Sequence, residues 1–190
     1  MAPPPARAVG LPLHPLLAAR RSPFAFDPSI EVTSLELATL LEAARWAPSH
    51  RNSQPWRFLV GRREDGAYQR VLAELPADDQ RWAARAPLLL VAAHLTRTVT
   101  GSPLPHGAYD LGQAVAHLTV QASALGLSVR QVTPVDGGAL RSVLELPDRV
   151  VPAVVIAVGR LGDPAGLPED LRAREVAPRV RQPAAALLLG

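Results

Sequence analysis

The spacing of apolar residues predicts where the chain forms helices. Residues 33–36 (TSLE) have the S/T-x-x-E form of a capping box, and apolar residues follow at helical spacing, so we predict a helix over 34–47. Over 107–125 apolar side chains recur at intervals of three and four residues, and Gly126 supplies a left-handed stop. We expect this second helix to lie near the centre of the fold. Shorter helices are predicted over 67–75, 138–144 and 167–174.

Short apolar runs between these helices predict strands. Residues 56–60 are mostly aromatic or aliphatic and are followed by Gly61, which favours a strand. Residues 88–93 are continuously apolar, as in a strand that is buried on both faces. Further strands are predicted over 129–132 and 150–158. Because strands alternate with helices, the pattern predicts an α/β or α+β sandwich with helices packed on a central sheet.

Length and composition favour one domain with an arm at each end. A chain of 190 residues, of which 48% are hydrophobic, is long enough for one ordinary core. We expect a proline-rich, extended arm over 1–19, a domain over 20–174 and a C-terminal arm over 175–190 that reaches a partner subunit. The prolines of the first segment interrupt the helix that a signal peptide needs, so we expect a cytoplasmic protein. The longest apolar runs are too short to cross a membrane.

The residue types that are missing exclude several kinds of chemistry. Cysteine is absent, which excludes disulfides, thiolate nucleophiles and cysteine-ligated zinc. Lysine is also absent, so the chain has neither a Walker-type phosphate loop nor a Schiff-base lysine. All 20 basic residues are arginines, and they are spread among 17 carboxylates, which favours a mixed solvated surface over a nucleic-acid-binding face. The five histidines lack metal-binding spacing, so no metal site is predicted.

Three polar clusters remain as candidates for binding chemistry: 20–22, 48–56 and 179–183. The first and third are rich in arginine, whose planar guanidinium group matches the oxygens of a phosphate. The middle cluster contains Asn52, the only asparagine of the chain, close to Gln54. Amides both donate and accept hydrogen bonds, as the edge of a flavin ring requires. Taken singly, each cluster is more typical of a surface or a polar turn.

Four segments resemble those of one known family. The stretch AARWAPSHRNSQPWRF resembles the APSxxNxQPWxF segment of the nitroreductase-like FMN oxidoreductases, and RRSPFAFDP resembles their N-terminal RRSxRxF segment. The sequence YDLGQAVAHLTVQASALGL is similar to their central helix, and REVAPRVRQP is similar to their C-terminal basic segment. The four segments occur in the same order as in the family, between residues 20 and 183.

This resemblance implies an α+β fold: a three-layer sandwich with a central, mainly antiparallel sheet flanked by helices, in an intertwined homodimer with FMN at the interface. It also implies ping-pong hydride transfer from NADH or NADPH, through flavin N5, to a small acceptor such as a nitro compound or a quinone. The family needs no catalytic side chain. One subunit is expected to hold the phosphate and ribityl end, and its partner to contribute further residues. The implied cofactor-binding residues are Arg20, Arg21, Ser22, Gln131, Arg179 and Arg181, with Pro48, Ser49, His50 and Asn52 from the partner.

Three residues depart from the family pattern. Phe24 stands where relatives usually have a basic residue, which implies that one phosphate or ribityl contact is missing. Asp79 stands where relatives often have a flavin-binding asparagine, and an ionised carboxylate there would lower the flavin potential unless it is turned away. Pro134 lies where relatives have glycine N–H groups, and it has no N–H group. These departures leave two alternatives open: a degenerate homologue that sequesters FMN or serves as an interaction module, and an FMN dehydrogenase of a secondary metabolite.

Two further features have structural interpretations. Trp46 and Trp56 flank the amide-rich cluster and are interpreted as anchors in the core. Asp110, at the start of the predicted central helix, is interpreted as a complement to the helix dipole.

Overall fold

A four-stranded sheet forms the centre of the protein in the computed structural model, which describes residues 12–189. The strands follow one another in the order β1-β2-β4-β3, and every neighbouring pair is antiparallel. Strand β3 therefore lies at one edge of the sheet and β1 at the other. The strands are β1 (Trp56–Arg62), β2 (Leu88–Leu95), β3 (Ser128–Val132) and β4 (Val150–Gly159).

Helices cover both faces of this sheet. Within residues 12–189 they are α1 (Pro15–Ala19), α2 (Ser34–Arg45), α3 (Gly66–Ala73), α4 (Ala77–Ala83), α5 (Gly107–Ala124), α6 (Gly137–Val143) and α7 (Glu169–Val176). The predicted helices and strands are all present, with ends that differ from the predictions by up to two residues. Gly126 has φ +69, so the predicted left-handed stop after the central helix is also confirmed.

Two helices differ from the sequence-based expectations. The N-terminal arm is not extended throughout, because α1 forms where the His14 ring accepts the N–H of Leu16 and Pro15 occupies the first helical turn. Residues 1–11 of the expected arm lie outside the described residues. Helix α4 was not predicted, since its sequence alternates acidic, basic and apolar residues over fewer than three turns.

The sheet separates two hydrophobic cores. On one face, α2 and α5 cover Leu88 and Leu90 of β2, and on the other face α3, α4, α6 and α7 cover Leu89 and Val91. All four side chains are at most 1% exposed, which confirms that β2 is buried on both faces. The predicted three-layer α+β sandwich is therefore correct.

An ion pair joins α2 to the end of β4 and to α5. The predicted capping box is formed: the Thr33 hydroxyl accepts the N–H of Glu36, and the Glu36 carboxylate accepts the N–H of Thr33. The other oxygen of Glu36 accepts a hydrogen bond from Arg160, which also donates to the carbonyl of Leu125. The hydrogen bond from the N–H of Thr33 is the largest cause that lowers the pKa of Glu36.

Replacing this carboxylate tests its contribution to stability. Glu36→Gln retains a capping acceptor but removes the charge that faces Arg160, so the free energy of unfolding should fall by about 1–2 kcal/mol. The free energies are measured by urea denaturation at one fixed protein concentration, because dimerisation would couple stability to concentration.

The pH dependence of this effect has a defined sign. Because folding lowers the pKa of Glu36, its stabilisation is present above the unfolded-state pKa of about 4.3 and is lost as the pH falls through the folded-state pKa. The difference between wild type and Glu36→Gln should therefore shrink in acid. Glu31→Gln, at an exposed position before α2, is the control. Equal effects of the two substitutions at neutral pH would show that the Glu36–Arg160 pair contributes nothing.

Candidate functional site

Both ends of the described chain meet at a pocket of about 250 Å³, which we call the arginine pocket. Its wall is formed by the segment after α1, by β3, and by α7 with the segment that follows it. The expected residues Arg20, Arg21, Ser22, Arg179 and Arg181 all line it. The structure therefore brings the first and third polar clusters of the sequence together.

Hydrogen bonds to backbone carbonyls hold the two segments against each other. The Arg179 guanidinium donates to the carbonyl oxygens of Ala18 (2.7 Å) and Arg20 (2.6 Å), at the C-terminal end of α1. Arg21 donates to the carbonyl of Glu175 (2.7 Å), and the Glu175 carboxylate accepts the N–H of Phe24 (2.5 Å). These contacts fix the position of the pocket wall.

The arginine pocket concentrates positive charge. Partial burial lowers the pKa of Arg20, and the charges of Arg181 and Arg179 lower it further. The Arg20 side chain donates to the Ser22 hydroxyl at 3.0 Å, so cation and hydroxyl lie together. Such an arrangement favours an anion with several oxygen acceptors.

Two further arginines of this pocket were missed by the sequence analysis: Arg130 on β3 and Arg174 on α7. The available signal was a single arginine in a short, otherwise apolar or neutral strand. The next residue, Gln131, was expected at the cofactor and lines a neighbouring pocket of about 250 Å³ with Arg20, Ser22 and Thr119. Arg130 and Gln131 thus approach Ser22 from opposite faces of the edge strand.

The middle polar cluster forms a strained turn between α2 and β1, which we call the amide turn (residues 48–54). Three non-glycine residues have left-handed backbone conformations there: Arg51 (φ 51), Asn52 (φ 56) and Gln54 (φ 45). Each costs about 1–2 kcal/mol relative to ordinary conformations, so other contacts must hold the turn. The Ser49 hydroxyl accepts the N–H of Gln54 at 3.0 Å.

Asp110 provides a second contact for the amide turn. It lies in the first turn of α5, is 2% exposed, and accepts the N–H of His50 at 3.1 Å. The sequence interpretation as a helix-dipole partner missed this role, because the two residues are far apart in the chain. The rings of His50 and His106 lie 4.6 Å apart and line a pocket of about 350 Å³ beside Asp110.

The interpretation of Trp46 as a core anchor is wrong. Its side chain is 72% exposed and donates to Glu42 at 2.7 Å, whereas Trp56 is 7% exposed and lies in the core as expected. Trp46 directly follows the last residue of α2, and its backbone N–H donates to the carbonyl of Glu42. It lines an apolar groove of about 550 Å³ between α2 and α5, which we call the α2–α5 groove.

The Gln131 pocket, which shares Arg20 and Ser22 with the arginine pocket, borders the C-terminal half of α5, whereas the amide turn lies at the N-terminal end of this helix. The arginine-bearing segments approach α5 near Thr119, and the amide turn contacts Asp110, about 14 Å away along the helix axis at 1.5 Å per residue. The α2–α5 groove shares Ala116 and Val120 with the Gln131 pocket, so the groove adjoins the arginine pocket region.

The three departures from the family pattern lie in segments with well-defined contacts within this chain. One Asp79 oxygen accepts the indole N–H of Trp82 at 2.9 Å, which ties this carboxylate to the core side of α4. After Pro134, the Asp136 carboxylate accepts the N–H groups of Gly138 and Ala139, each at 2.9 Å, so Asp136 caps α6 and these donors are used within the chain. Phe24 is 5% exposed and packs on Trp82.

The described part of the chain has neither a membrane-spanning helix nor a cluster of metal ligands. None of its helices combines the length and apolar character needed to cross a bilayer. In the same residues, no three metal-ligating side chains lie close enough together to hold an ion.

Comparisons with known proteins agree with this geometry. The model of the nitroreductase family matches residues 17–160. An iodotyrosine deiodinase of Thermotoga neapolitana is 28% identical over 145 residues, which cover 68% of this chain and 78% of that protein. A major NAD(P)H-flavin oxidoreductase of Aliivibrio fischeri is 44% identical over a shorter stretch of 61 residues, 30% of this chain and 28% of that protein.

A solved structure described as an oxidoreductase containing FMN has the same fold. It superposes with a TM-score of 0.89 and 33% sequence identity, covering 100% of this chain and 96% of that one. The family match includes the segment after α1, the amide turn, α5 and β3, whereas Arg174, Arg179 and Arg181 of the arginine pocket lie beyond the matched residues. With most of its length matched in this way, the chain belongs to the nitroreductase family.

Proposed function

We propose that this protein is an FMN-dependent NAD(P)H oxidoreductase that acts as a homodimer, with each FMN bound between subunits. The observation that carries the proposal is the convergence of Arg20, Arg179 and Arg181 on one pocket from opposite ends of the chain. Similarity to the FMN-containing structure and to the NAD(P)H-flavin oxidoreductase supports the same cofactors here.

The arginine pocket fits the phosphate of FMN. A phosphate monoester carries nearly two negative charges and accepts hydrogen bonds at three oxygens. Arg20 and Arg181 offer forked N–H donors, and Ser22 adds a hydroxyl. Burial, and then repulsion by Arg181 and Arg179, lower the pKa of Arg20. An anion bound in the pocket would relieve that repulsion.

The amide turn fits the flavin ring and the ribityl chain. Asn52 and Gln54 are exposed and can both donate and accept, and Ser49 and His50 belong to the same ordered turn. The left-handed conformations of this turn support a functional role, because strained backbone is maintained where binding groups must be placed accurately.

The two half-sites would be joined across a dimer. We assign the α2–α5 groove to a second copy of this chain, whose C-terminal arm (175–190) covers it. This arm exposes Val180, Leu187 and Leu188 at 78–79%, and the groove contains the 72% exposed Trp46. Burying both apolar surfaces together would remove them from water. Since the groove adjoins the arginine pocket, the partner would arrive beside the phosphate site.

The protein's own residues would act by binding and orientation. FMN, when bound, supplies the hydride-transfer chemistry between nicotinamide and a small electrophile such as a nitro compound or a quinone. The arginine pocket would anchor the phosphate end, and Asn52 of the partner would fix the ring edge. Asp110 would keep the amide turn in place through His50. No side chain is required as a nucleophile.

Binding and reduction of the cofactor give the first test. Purified protein titrated with FMN should become yellow, and the colour should bleach on addition of NADH or NADPH without oxygen. Absorbance between 350 and 500 nm, roughly the flavin range, is the measurement. Protein that takes up no FMN would favour the degenerate homologue, and yellow protein that neither nicotinamide bleaches would favour a dehydrogenase of another substrate.

Removal of single guanidinium groups tests the phosphate site. Arg20→Ala and Arg181→Ala should each weaken FMN binding by about 1–3 kcal/mol, the range for a lost hydrogen bond to a charged group. Binding is measured by quenching of flavin fluorescence. Arg70→Ala is a matched control, because Arg70 is an exposed arginine on α3 that does not line the arginine pocket. Unchanged affinity in the two test variants would remove these arginines from the FMN site.

Subunit mixing tests whether sites are shared. In Asn52→Asp the new residue still accommodates the left-handed backbone at position 52, but the amide donor is lost. Arg20→Ala disables the other half-site. Neither variant alone should bind FMN well, but a heterodimer of the two should regain one intact site. Mixed and refolded samples are compared with each variant treated alone. A mixture that binds no more FMN than the separate variants would contradict a shared site.

A further inference from the structure

We propose that Arg130 is a phosphate-binding residue of the FMN site and that Phe24 is the platform that holds its guanidinium group in place. This inference rests on the proposed function and deepens it. The sequence implied a lost contact at Phe24, whereas the geometry points to a replacement contact that comes from β3.

The Arg130 guanidinium contacts two aromatic rings. Its Cζ atom lies 3.5 Å from the centroid of the Phe24 ring and 5.0 Å from that of Trp82. Phe24 and Trp82 pack edge to face with centroids 5.9 Å apart, and both are nearly fully buried. The negative face of an aromatic ring attracts a guanidinium group, and the effect is stronger away from water. The rings therefore restrict where the Arg130 guanidinium can lie.

A hydrogen bond directs this guanidinium to the expected phosphate residues. Arg130 Nη1 donates to the carbonyl of Ser22 at 2.6 Å. A guanidinium group has five N–H donors. Over the described residues this is the one hydrogen bond that the Arg130 side chain forms, and the side chain lines the arginine pocket with Arg20 and Arg181. Donors thus remain for a ligand in that pocket.

The charge around Arg130 favours an anion. Burial lowers the pKa of Arg130, and the neighbouring Arg174 lowers it further, while Asp79 and Glu175 act in the opposite direction. Arg174 is also stacked on Phe24, with its Cζ atom 4.5 Å from the ring centroid. Across the described part of the chain, neither arginine forms an ion pair with a carboxylate. Two cations therefore contact one neutral ring at the wall of the arginine pocket.

Arg130 lies in β3, an edge strand of the sheet, and this position explains how its side chain reaches the arginine pocket. Val129 and Val132 are buried in the two cores, but between them Arg130 and Gln131 extend to either side of the Ser22 segment. A residue whose role was only to fill the core would be apolar here. Substituting a basic residue at position 24 would place another cation where the Phe24 ring now holds Arg130.

The test compares FMN with riboflavin, which lacks the phosphate. Arg130→Met keeps a long side chain that can pack on Phe24 but removes the charge and the donors. We expect roughly tenfold weaker FMN binding, the effect of losing one charge-assisted hydrogen bond, with riboflavin binding changed by less than about twofold. Phe24→Leu should give a smaller loss of the same kind, because the guanidinium is kept but its platform is removed. Affinities are measured by flavin fluorescence quenching.

Controls separate phosphate binding from folding. Arg172→Met replaces an exposed arginine on α7 outside the arginine pocket and should leave both affinities unchanged. Arg130→Lys retains the charge but lacks the forked donors of a guanidinium group, so it should bind FMN more weakly than the wild type and more tightly than Arg130→Met. It remains informative if Arg130→Met folds poorly. Inorganic pyrophosphate should raise the melting temperature of the flavin-free wild type more than that of Arg130→Met.

Each outcome is decisive. A selective loss of FMN affinity supports the assignment of Arg130. Equal losses for FMN and riboflavin would show that Arg130 only supports the fold, and no loss for either would show that it lies outside the phosphate site; both results overturn the inference. A wild type that binds neither flavin would overturn the proposed function itself, and the inference with it.

Discussion

Repulsion among six guanidinium groups is the constraint on which the candidate site depends. Arg20, Arg21, Arg130, Arg174, Arg179 and Arg181 line one pocket, although like charges held close together oppose folding. The fold offsets this repulsion with acceptors that carry no full charge: backbone carbonyls at the C-terminal end of α1 accept from Arg179, the Ser22 carbonyl accepts from Arg130, and the Phe24 ring contacts both Arg130 and Arg174. Carboxylates are scarce around the pocket, so its positive charge stays available for an anionic ligand.

Helix α5 separates the amide turn, at its N-terminal end, from the Gln131 pocket beside the arginine pocket, at its C-terminal half. Helix α5 is packed on the sheet through Leu111, Ala114 and Leu118, which leaves Ala116 and Val120 for the α2–α5 groove. Asp110 at its start holds the amide turn, and Thr119 near its end borders the pocket of Gln131. In the proposed dimer a second chain fills the groove, and the partner's amide turn would contact the flavin ring while the arginines hold the phosphate.

The sequence predicted the elements whose signal is local. Helix α2 has a capping box followed by apolar residues at helical spacing, and β2 is a continuous apolar run, so both could be placed from the chain alone. The convergence of Arg20 with Arg181 was inferred from family resemblance, and periodicity could not have shown it. Arg130 was missed, and Asp110 was interpreted only as a helix-dipole partner, because their roles depend on contacts with Ser22 and His50, which are distant in sequence. The exposure of Trp46 was likewise unpredictable, because a large aromatic at the end of a helix packs inward in most monomers.

A crystal structure of the protein grown with FMN is the most direct measurement of whether these arginines serve one phosphorylated cofactor. Electron density for the phosphate within hydrogen-bonding distance of Arg20 and Arg181, with the ring against Asn52 of a second subunit, is the predicted result. Flavin bound elsewhere, or an arginine pocket that stays open to solvent while FMN is present in excess, would contradict the assignment of both half-sites.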